Sequence, residues 1–291
     1  MKGRAVRLAA GCLLMIAATG TFLFPRICDQ ISRIRLLTEA YEAIVQDECE
    51  NYEEAVLYNE KIARQQAEKA FAYAGAEAGE RDQEYLSLPA GGSDTICWVE
   101  VPAADIYLPV GHGTGEQTLA REAGHMYGTS FPAGGESVHA VIAAHTGLAG
   151  ARLFTDLVDV RTGDLVLIHL GARTLHYRVD AVNVVRPEDE SRYLQIIPGE
   201  DYVTLYTCTP IGKNTHRLLV RAKRSSREET EDDAEGEKER IRKKRNKAWQ
   251  LLFLEGAAVI LIPVSLCFFA VCRGRKAESA SEDTFHKLTN K

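Results

Sequence analysis

The stretch Asp201–Lys223, DYVTLYTCTPIGKNTHRLLVRAK, decides how this chain is read. Two apolar, β-branched runs flank a turn-rich bridge, Pro210–Thr215, the pattern of two strands joined by a short loop. Cys208 closes the first run between Thr207 and Thr209, and Arg217 opens the second. A cysteine reacts through its thiolate, and a nearby guanidinium favours that charged form. Cys208 is therefore a candidate nucleophile.

Further short β-rich runs lie upstream, cut by Gly, Pro and Asp: Ile96–Val101, Ile106–Val110, Val138–Ala144, Leu165–Leu170 and Thr174–Val185. With Tyr202–Thr207 and Leu218–Ala222 they predict a mainly β domain, a sandwich or a barrel. His145, in AAHTGL, follows the run that ends at Ala144. A histidine can return a proton to a leaving amine. An arginine offers fixed, permanently charged donors to a carbonyl or a developing oxyanion. Together the three residue types suffice for acyl transfer through a thioester. Taken singly each has a plainer reading, a packed thiol or a surface imidazole. The remaining histidines, among them His112, His125, His139, His169, His176 and His216, are expected in core or surface positions.

The ends of the chain differ from this middle. Val6–Phe24 is almost continuously apolar behind Lys2, Arg4 and Arg7, and no A-x-A site follows it. It reads as an uncleaved signal anchor, residues 1–28, rather than a cleaved signal peptide. Residues 29–94 read as a helical segment and linker. Ile31, Ile34, Leu37, Tyr41, Ile44 and Val45 recur at helical spacing, and Pro89-Ala90-Gly91-Gly92 marks a loop. Residues 225–248 form a charged juxtamembrane linker, acidic over Glu228–Glu239 and basic over Arg240–Lys247. Trp249–Val271 is long enough for a hydrocarbon core of about 30 Å, giving a transmembrane helix over 249–272 and a tail over 273–291. The amino-terminal basic cluster sets that end in the cytoplasm. Two passes then leave Pro25–Gln250 outside the cell membrane and return the tail. The basic run is placed to meet anionic lipid headgroups.

The formal charge of −6 over 291 residues gives no reason to expect a nucleic-acid partner. Eight dispersed histidines and seven cysteines without a CxxC spacing supply no metal set. Cys49 and Cys97 are a candidate disulfide pair for an extracytoplasmic protein.

TLYTC at Thr204–Cys208, the strand–Cys–loop–strand arrangement reaching Arg217, and the upstream AAHTG resemble the sortase family over about Ile96–Arg224. Longer stretches are similar to its pilin-polymerising class C: LPVGHGTGEQTLAREAGHMYGTSFPAGG at Leu108–Gly135, LFTDL at Leu153–Leu157 and DYVTLYTCTPIGKNTHRLLVR at Asp201–Arg221. The resemblance implies a closed sortase-type β-barrel over 95–224, with amino-terminal helices and two flanking transmembrane helices. It implies that Cys208 attacks the Thr carbonyl of an LPxTG-like sorting signal on a surface protein or pilin. By the same resemblance His145 is the general acid and then the base, and Arg217 holds the carbonyl or oxyanion. An amine, from a pilin lysine or a cell-wall peptide, resolves the thioacyl enzyme without metal or organic cofactor. Joining of pilin subunits is the leading expectation. A housekeeping sortase that anchors surface proteins to the wall, and a catalytically silent barrel scaffold for pilus assembly, are the alternatives. One departure stands out. Class C members carry an Asp-Pro-aromatic lid, and no Asp-Pro occurs here; Phe71–Leu88 offers Phe71, Tyr73 and Tyr85 instead. Either another aromatic covers the cleft, or the cleft is open.

Overall fold

In a computed structural model of the protein, the described residues are 2–45, 52–73, 75–88, 95–148, 151–171, 173–225, 239, 241–266 and 269. The chain forms two compact units, Arg35–Arg245 and the terminal segments Met1–Ile34 with Asn246–Lys291.

In the larger unit, β1 (Thr95–Val101), β2 (Ile106–His112), β3 (Ala123–His125), β4 (Val138–Ala143), β5 (Leu165–Leu170), β6 (Arg173–Val185), β7 (Asp201–Thr209) and β8 (His216–Arg224) close a barrel in the order β1-β2-β3-β4-β7-β8-β6-β5. Closure removes the sheet edges that would otherwise expose unpaired backbone. Seven of the eight strands match the β-rich runs read in the sequence. The eighth, β3, has three residues, two of them Gly124 and His125, and carries no periodicity of its own. It bridges β2 in parallel and β4 antiparallel.

Alternation along each strand sorts the side chains. Val203, Leu205, Leu218, Val220 and Ala222 point into the barrel and join its main core with Ile96, Ile142, Phe154 and Ile168. Thr204, Tyr206 and Cys208 on β7, and Arg217 and Leu219 on β8, stand on the outer face.

Ahead of the barrel run α1 (Lys2–Val45) and α2 (Tyr52–Glu68), followed by the one-turn helices α3 (Ala76–Glu80) and α4 (Gln83–Leu86). Ala55, Tyr58 and Ile62 of α2 are buried in the main core. The buried Asn59 amide completes the docking. Its Nδ2 donates to the Phe131 carbonyl at 3.0 Å, and its Oδ1 accepts from the Phe131 amide at 2.6 Å. Such a pair lets a helix satisfy backbone groups that no strand reaches. Tyr85 of α4 is fully buried, and its hydroxyl meets His125 Nδ1 at 2.9 Å and accepts from the Gly113 amide at 2.9 Å. Cys97, on β1, is buried and free, so it does not pair with Cys49, which lies outside the described residues.

The terminal unit holds two helices long and apolar enough to cross a membrane, Ala10–Arg35 within α1 and a last helix, α5 (Ile241–Leu266), which begins in the larger unit. At 26 residues each, they extend about 39 Å at 1.5 Å per residue, more than the ~30 Å of a hydrocarbon core. Leu14, Phe22, Phe253 and Phe269 are largely exposed, as lipid-facing side chains are. Helix α1 continues through Pro25 without a break.

Candidate active site

The parallel pairing of β4 with β7 keeps one register from Val138 opposite Asp201 to Ala143 opposite Tyr206. His145 follows two residues beyond the last pair of this ladder, and Cys208 lies two residues beyond it on β7. The antiparallel pairing of β7 with β8 sets Cys208 directly against Arg217. Both alignments are anchored locally. The Ala144 amide donates to the Tyr206 carbonyl at 3.1 Å, and the buried Thr207 hydroxyl donates to the Ala144 carbonyl at 2.7 Å. Cys208 and Arg217 are therefore cross-strand partners, and His145 follows the end of β4 at the same end of the barrel. Cys208 and Arg217 are half-buried and His145 is exposed. The His145 imidazole makes no hydrogen bond among the described residues, and its carbonyl accepts from the Phe154 amide at 3.0 Å.

Each residue of Thr204–Cys208 has a separate task. Leu205 fills the core. Thr204 donates to His139 Nε2 at 2.8 Å, while His139 Nδ1 donates to the Gln195 carbonyl at 2.8 Å. Those partners fix the neutral tautomer, and burial pushes His139 down to about 4. Tyr206 shares the outer face with Cys208 and accepts from Arg217 Nε at 2.7 Å. Partial burial works against the Arg217 charge, but Tyr206, Cys208 and Glu190 outweigh it and hold its pKa above the ordinary value.

The loop from β7 to β8 closes over Pro210, whose carbonyl accepts from Lys213 and Asn214 at 3.0 and 2.9 Å. Its tip, Ile211, packs against Gly147 just after His145. A Cβ on Gly147 would collide with the Ile211 side chain, and the backbone there is left-handed at φ +67°.

A second layer covers the face next to these residues. Phe71 packs with Met126, Val141, Val185, Leu194 and Leu219, and Tyr206 lies against the same cluster. Gln195 grips the segment from both sides of the peptide: its Oε1 accepts from the Phe71 amide at 2.8 Å and its Nε2 donates to the Phe71 carbonyl at 3.1 Å. Gly128 makes room, since a Cβ there would lie 3.3 Å from the Phe71 ring. Tyr73 Oη meets Thr114 Oγ1 at 2.6 Å. Of the aromatics that stand where the Asp-Pro motif is missing, Phe71 is the one packed beside Tyr206 and Leu219.

The match to known proteins follows this geometry. A sortase domain is matched over residues 99–225. Sortase A of Staphylococcus aureus is 31% identical over 147 residues, 48% of this chain and 68% of its own. The chain belongs to the sortase family. Sortases are cysteine transpeptidases, and the chain is an enzyme of that kind. Among solved sortases, a lid mutant of Streptococcus agalactiae sortase C1 is 37% identical, with a TM-score of 0.56, over 64% of this chain and 95% of that one. Streptococcus pneumoniae sortase C is 34% identical, with a TM-score of 0.54, over 67% and 99%. Its class C resemblance is thus carried by structure as well as by sequence.

Among the described residues of this sortase, no cluster of His, Cys, Asp and Glu is arranged to hold a metal. The other histidines have separate duties. His125 is buried between Tyr85 and the Ser130 carbonyl, and burial lowers it to about 4. His169 pairs with the buried Glu100 at 3.2 Å. Reading the sequence missed Tyr206, Glu190, Gln195 and the part played by Phe71. Tyr206 carried one usable signal, since two residues before Cys208 on a strand means the same face.

Proposed function

We propose that this sortase cleaves an LPxTG-like sorting signal with Cys208 as nucleophile, and transfers the acyl group to an amine on a pilin subunit. The Cys208 thiolate adds to the Thr carbonyl, and the tetrahedral oxyanion is held by the Arg217 guanidinium. The C–N bond to the following residue breaks, and His145 delivers the proton that the departing amine needs. The same imidazole then takes a proton from the incoming amine as its nitrogen attacks the thioester, and Cys208 leaves as thiolate. The observation that supports this reading is the register that pairs Cys208 with Arg217, with His145 just beyond the end of the neighbouring strand β4.

The two apolar terminal helices fit an enzyme anchored twice in the cell membrane, with residues 95–224 outside, the charged segment 225–248 near the surface and 273–291 in the cytoplasm. Phe71 acts as a lid that the sorting signal displaces.

The reading is tested by acyl transfer from a panel of LPxTG-like peptides to pilin-derived and cell-wall-derived amines. Wild type forms a Cys208 thioester and product, and Cys208→Ala forms neither. Equal product from both proteins sinks the nucleophile assignment. A reporter fused after Lys291 should be cytoplasmic; an extracellular signal overturns the two-pass arrangement.

A further inference from the structure

Arg217 presents five N–H donors in a fixed plane, so holding one edge determines where the other faces. Nε donates to Tyr206 Oη at 2.7 Å. Nη1 donates to the Asn214 and His216 carbonyls at 3.1 and 3.3 Å. Nη2 has no hydrogen-bond partner among the described residues, so that edge is left for a substrate oxygen. The backbone carbonyls hold Nη1 in any sequence with this turn. The Nε contact depends on a side chain, and on which way its hydroxyl points.

A tyrosine hydroxyl has one proton. If it were spent on another acceptor in a different direction, the lone pair facing Arg217 would move with it. Here the proton is committed: Tyr206 Oη donates to Glu190 Oε2 at 2.8 Å. Glu190 belongs to the 3-10 turn Pro187–Tyr193 between β6 and β7, and its side chain is 17% exposed, with Oε2 3.7 Å from Arg217 Nε. Its carboxylate therefore aligns the hydroxyl and adds a favourable charge on the Nε side of the guanidinium.

We propose that Tyr206 and Glu190 are positioning residues for transpeptidation, a two-member brace that aims the open edge of Arg217 across the strand pair at Cys208. The proposal rests on the reading of Cys208 and Arg217 given above. The brace makes no contact with substrate, and its effect passes entirely through Arg217.

The test uses full-length protein in detergent micelles and needs no peptide. Iodoacetate and iodoacetamide alkylate the same thiol, but only the first is an anion, so their rate ratio at Cys208 reports a guanidinium held beside the sulfur. The ratio is read by mass spectrometry of the Cys208 peptide, with thermal melting to show that each variant folds. Arg217→Ala should lower it about threefold or more, the effect of one screened charge at close range. Tyr206→Phe, which changes no charge, should lower it nearly as far. Glu190→Ala should also lower it, whereas Glu190→Gln, which removes the same charge but keeps an acceptor for the Tyr206 proton, should stay at the wild-type ratio or above. In an Arg217→Ala background neither change should have any further effect. Should Arg217→Ala lower the ratio while Tyr206→Phe and Glu190→Ala leave it at wild type, the brace is wrong and the Arg217 reading stands. An unchanged ratio in Arg217→Ala overturns both. Equal falls in Glu190→Ala and Glu190→Gln, or additive falls in the Arg217→Ala background, overturn the brace as well.

Discussion

Two polar networks lie on the outer face of the same barrel, and they differ in what they leave over. On the β1–β5 side, Glu100 accepts from Lys244 Nζ at 2.5 Å and meets His169 Nε2 at 3.2 Å, while His169 Nδ1 meets Thr174 Oγ1 at 3.0 Å. Glu100 and His169 are each 1% exposed at the side chain. Ile241 and Lys244, at the start of the last helix, close this network from outside. On the β7–β8 side, Glu190, Tyr206 and Arg217 form a chain of similar composition, but it is half-open and keeps an unused donor edge beside a thiol. A buried carboxylate is tolerable once its charge is paired and its lone pairs filled. A catalytic one has to stop short of that. The first network spends its groups on joining Lys244 to the barrel, and the second leaves Arg217 Nη2 without a hydrogen-bond partner among the described residues.

Two substitutions test that contrast at its largest. Arg217→Ala should lower peptide turnover by roughly 10²- to 10³-fold, the usual loss for one oxyanion donor, with little change in melting temperature. Lys244→Met should do the reverse. It takes the Lys244 cation away from the buried Glu100 carboxylate, at a cost of about 3 kcal/mol in stability, while turnover by the folded fraction stays near wild type. Chemical denaturation and initial-rate measurements on both variants separate the two outcomes. A stable Lys244→Met protein with impaired turnover would show that the β1–β5 network serves the reaction, and the contrast would fail.

The parts of this arrangement that alternate with period two were legible in the sequence, and the parts built from single contacts were not. The runs ending at Ala144, Thr207 and Ala222 announced strands, because inward and outward positions repeat, whereas His145, Cys208 and Arg217 were grouped by the resemblance to sortases. Strand β3 escaped because three residues cannot show a period. Glu190 sits among Glu188, Asp189 and Ser191 in a turn whose composition fits any solvated loop, so nothing local marked it as facing Arg217. Lys244 and Glu100 are 144 residues apart, and a lysine within a basic run reads as a solvated face until the fold brings a buried carboxylate to it. Phe71 was noticed only as an aromatic in a place where a motif was missing. Its role depends on Gln195, 124 residues away.

Acid should loosen the groove side first. His139 and His125 are both pushed to about 4 by burial, against an ordinary value of 6.5. The unfolded chain therefore binds protons that the folded one refuses. The stability each contributes is fully present above pH 6.5 and is lost as pH falls towards 4. By pH 5 the loss is roughly 2 kcal/mol per histidine. His139 holds the Gln195 carbonyl, and Gln195 grips Phe71, so the Phe71 segment should weaken with it. Urea midpoints between pH 7.5 and 5 should fall in wild type and fall less in His139→Asn. The protection factor of the Phe71 amide, corrected for the intrinsic pH dependence of exchange, should fall across the same range before that of the Trp98 amide on β1 does. Equal loosening on both sides would mean that the two networks are not independent.

The smallest effect concerns the cover itself. Phe71 is nearly buried, but among the described residues its segment is gripped by one side chain, Gln195, and Tyr73 by one hydroxyl contact with Thr114. A segment held by so few contacts opens locally at far lower cost than the barrel unfolds. Removing the ring should therefore not behave as a core truncation. Phe71→Ala should raise the rate of Cys208 alkylation by iodoacetamide about threefold to tenfold, a shift on the order of 1 kcal/mol in the closed population. The barrel's denaturation midpoint should barely move, because Met126, Val141 and Leu219 remain packed on the strands. The Lys244 side offers the matching control. Loosening that network does not uncover Cys208, so Lys244→Met should leave the Cys208 alkylation rate of the folded protein unchanged. If Phe71→Ala instead lowers the denaturation midpoint and leaves alkylation as it was, Phe71 is an ordinary part of the core, and the groove beside Cys208 is reached from another direction.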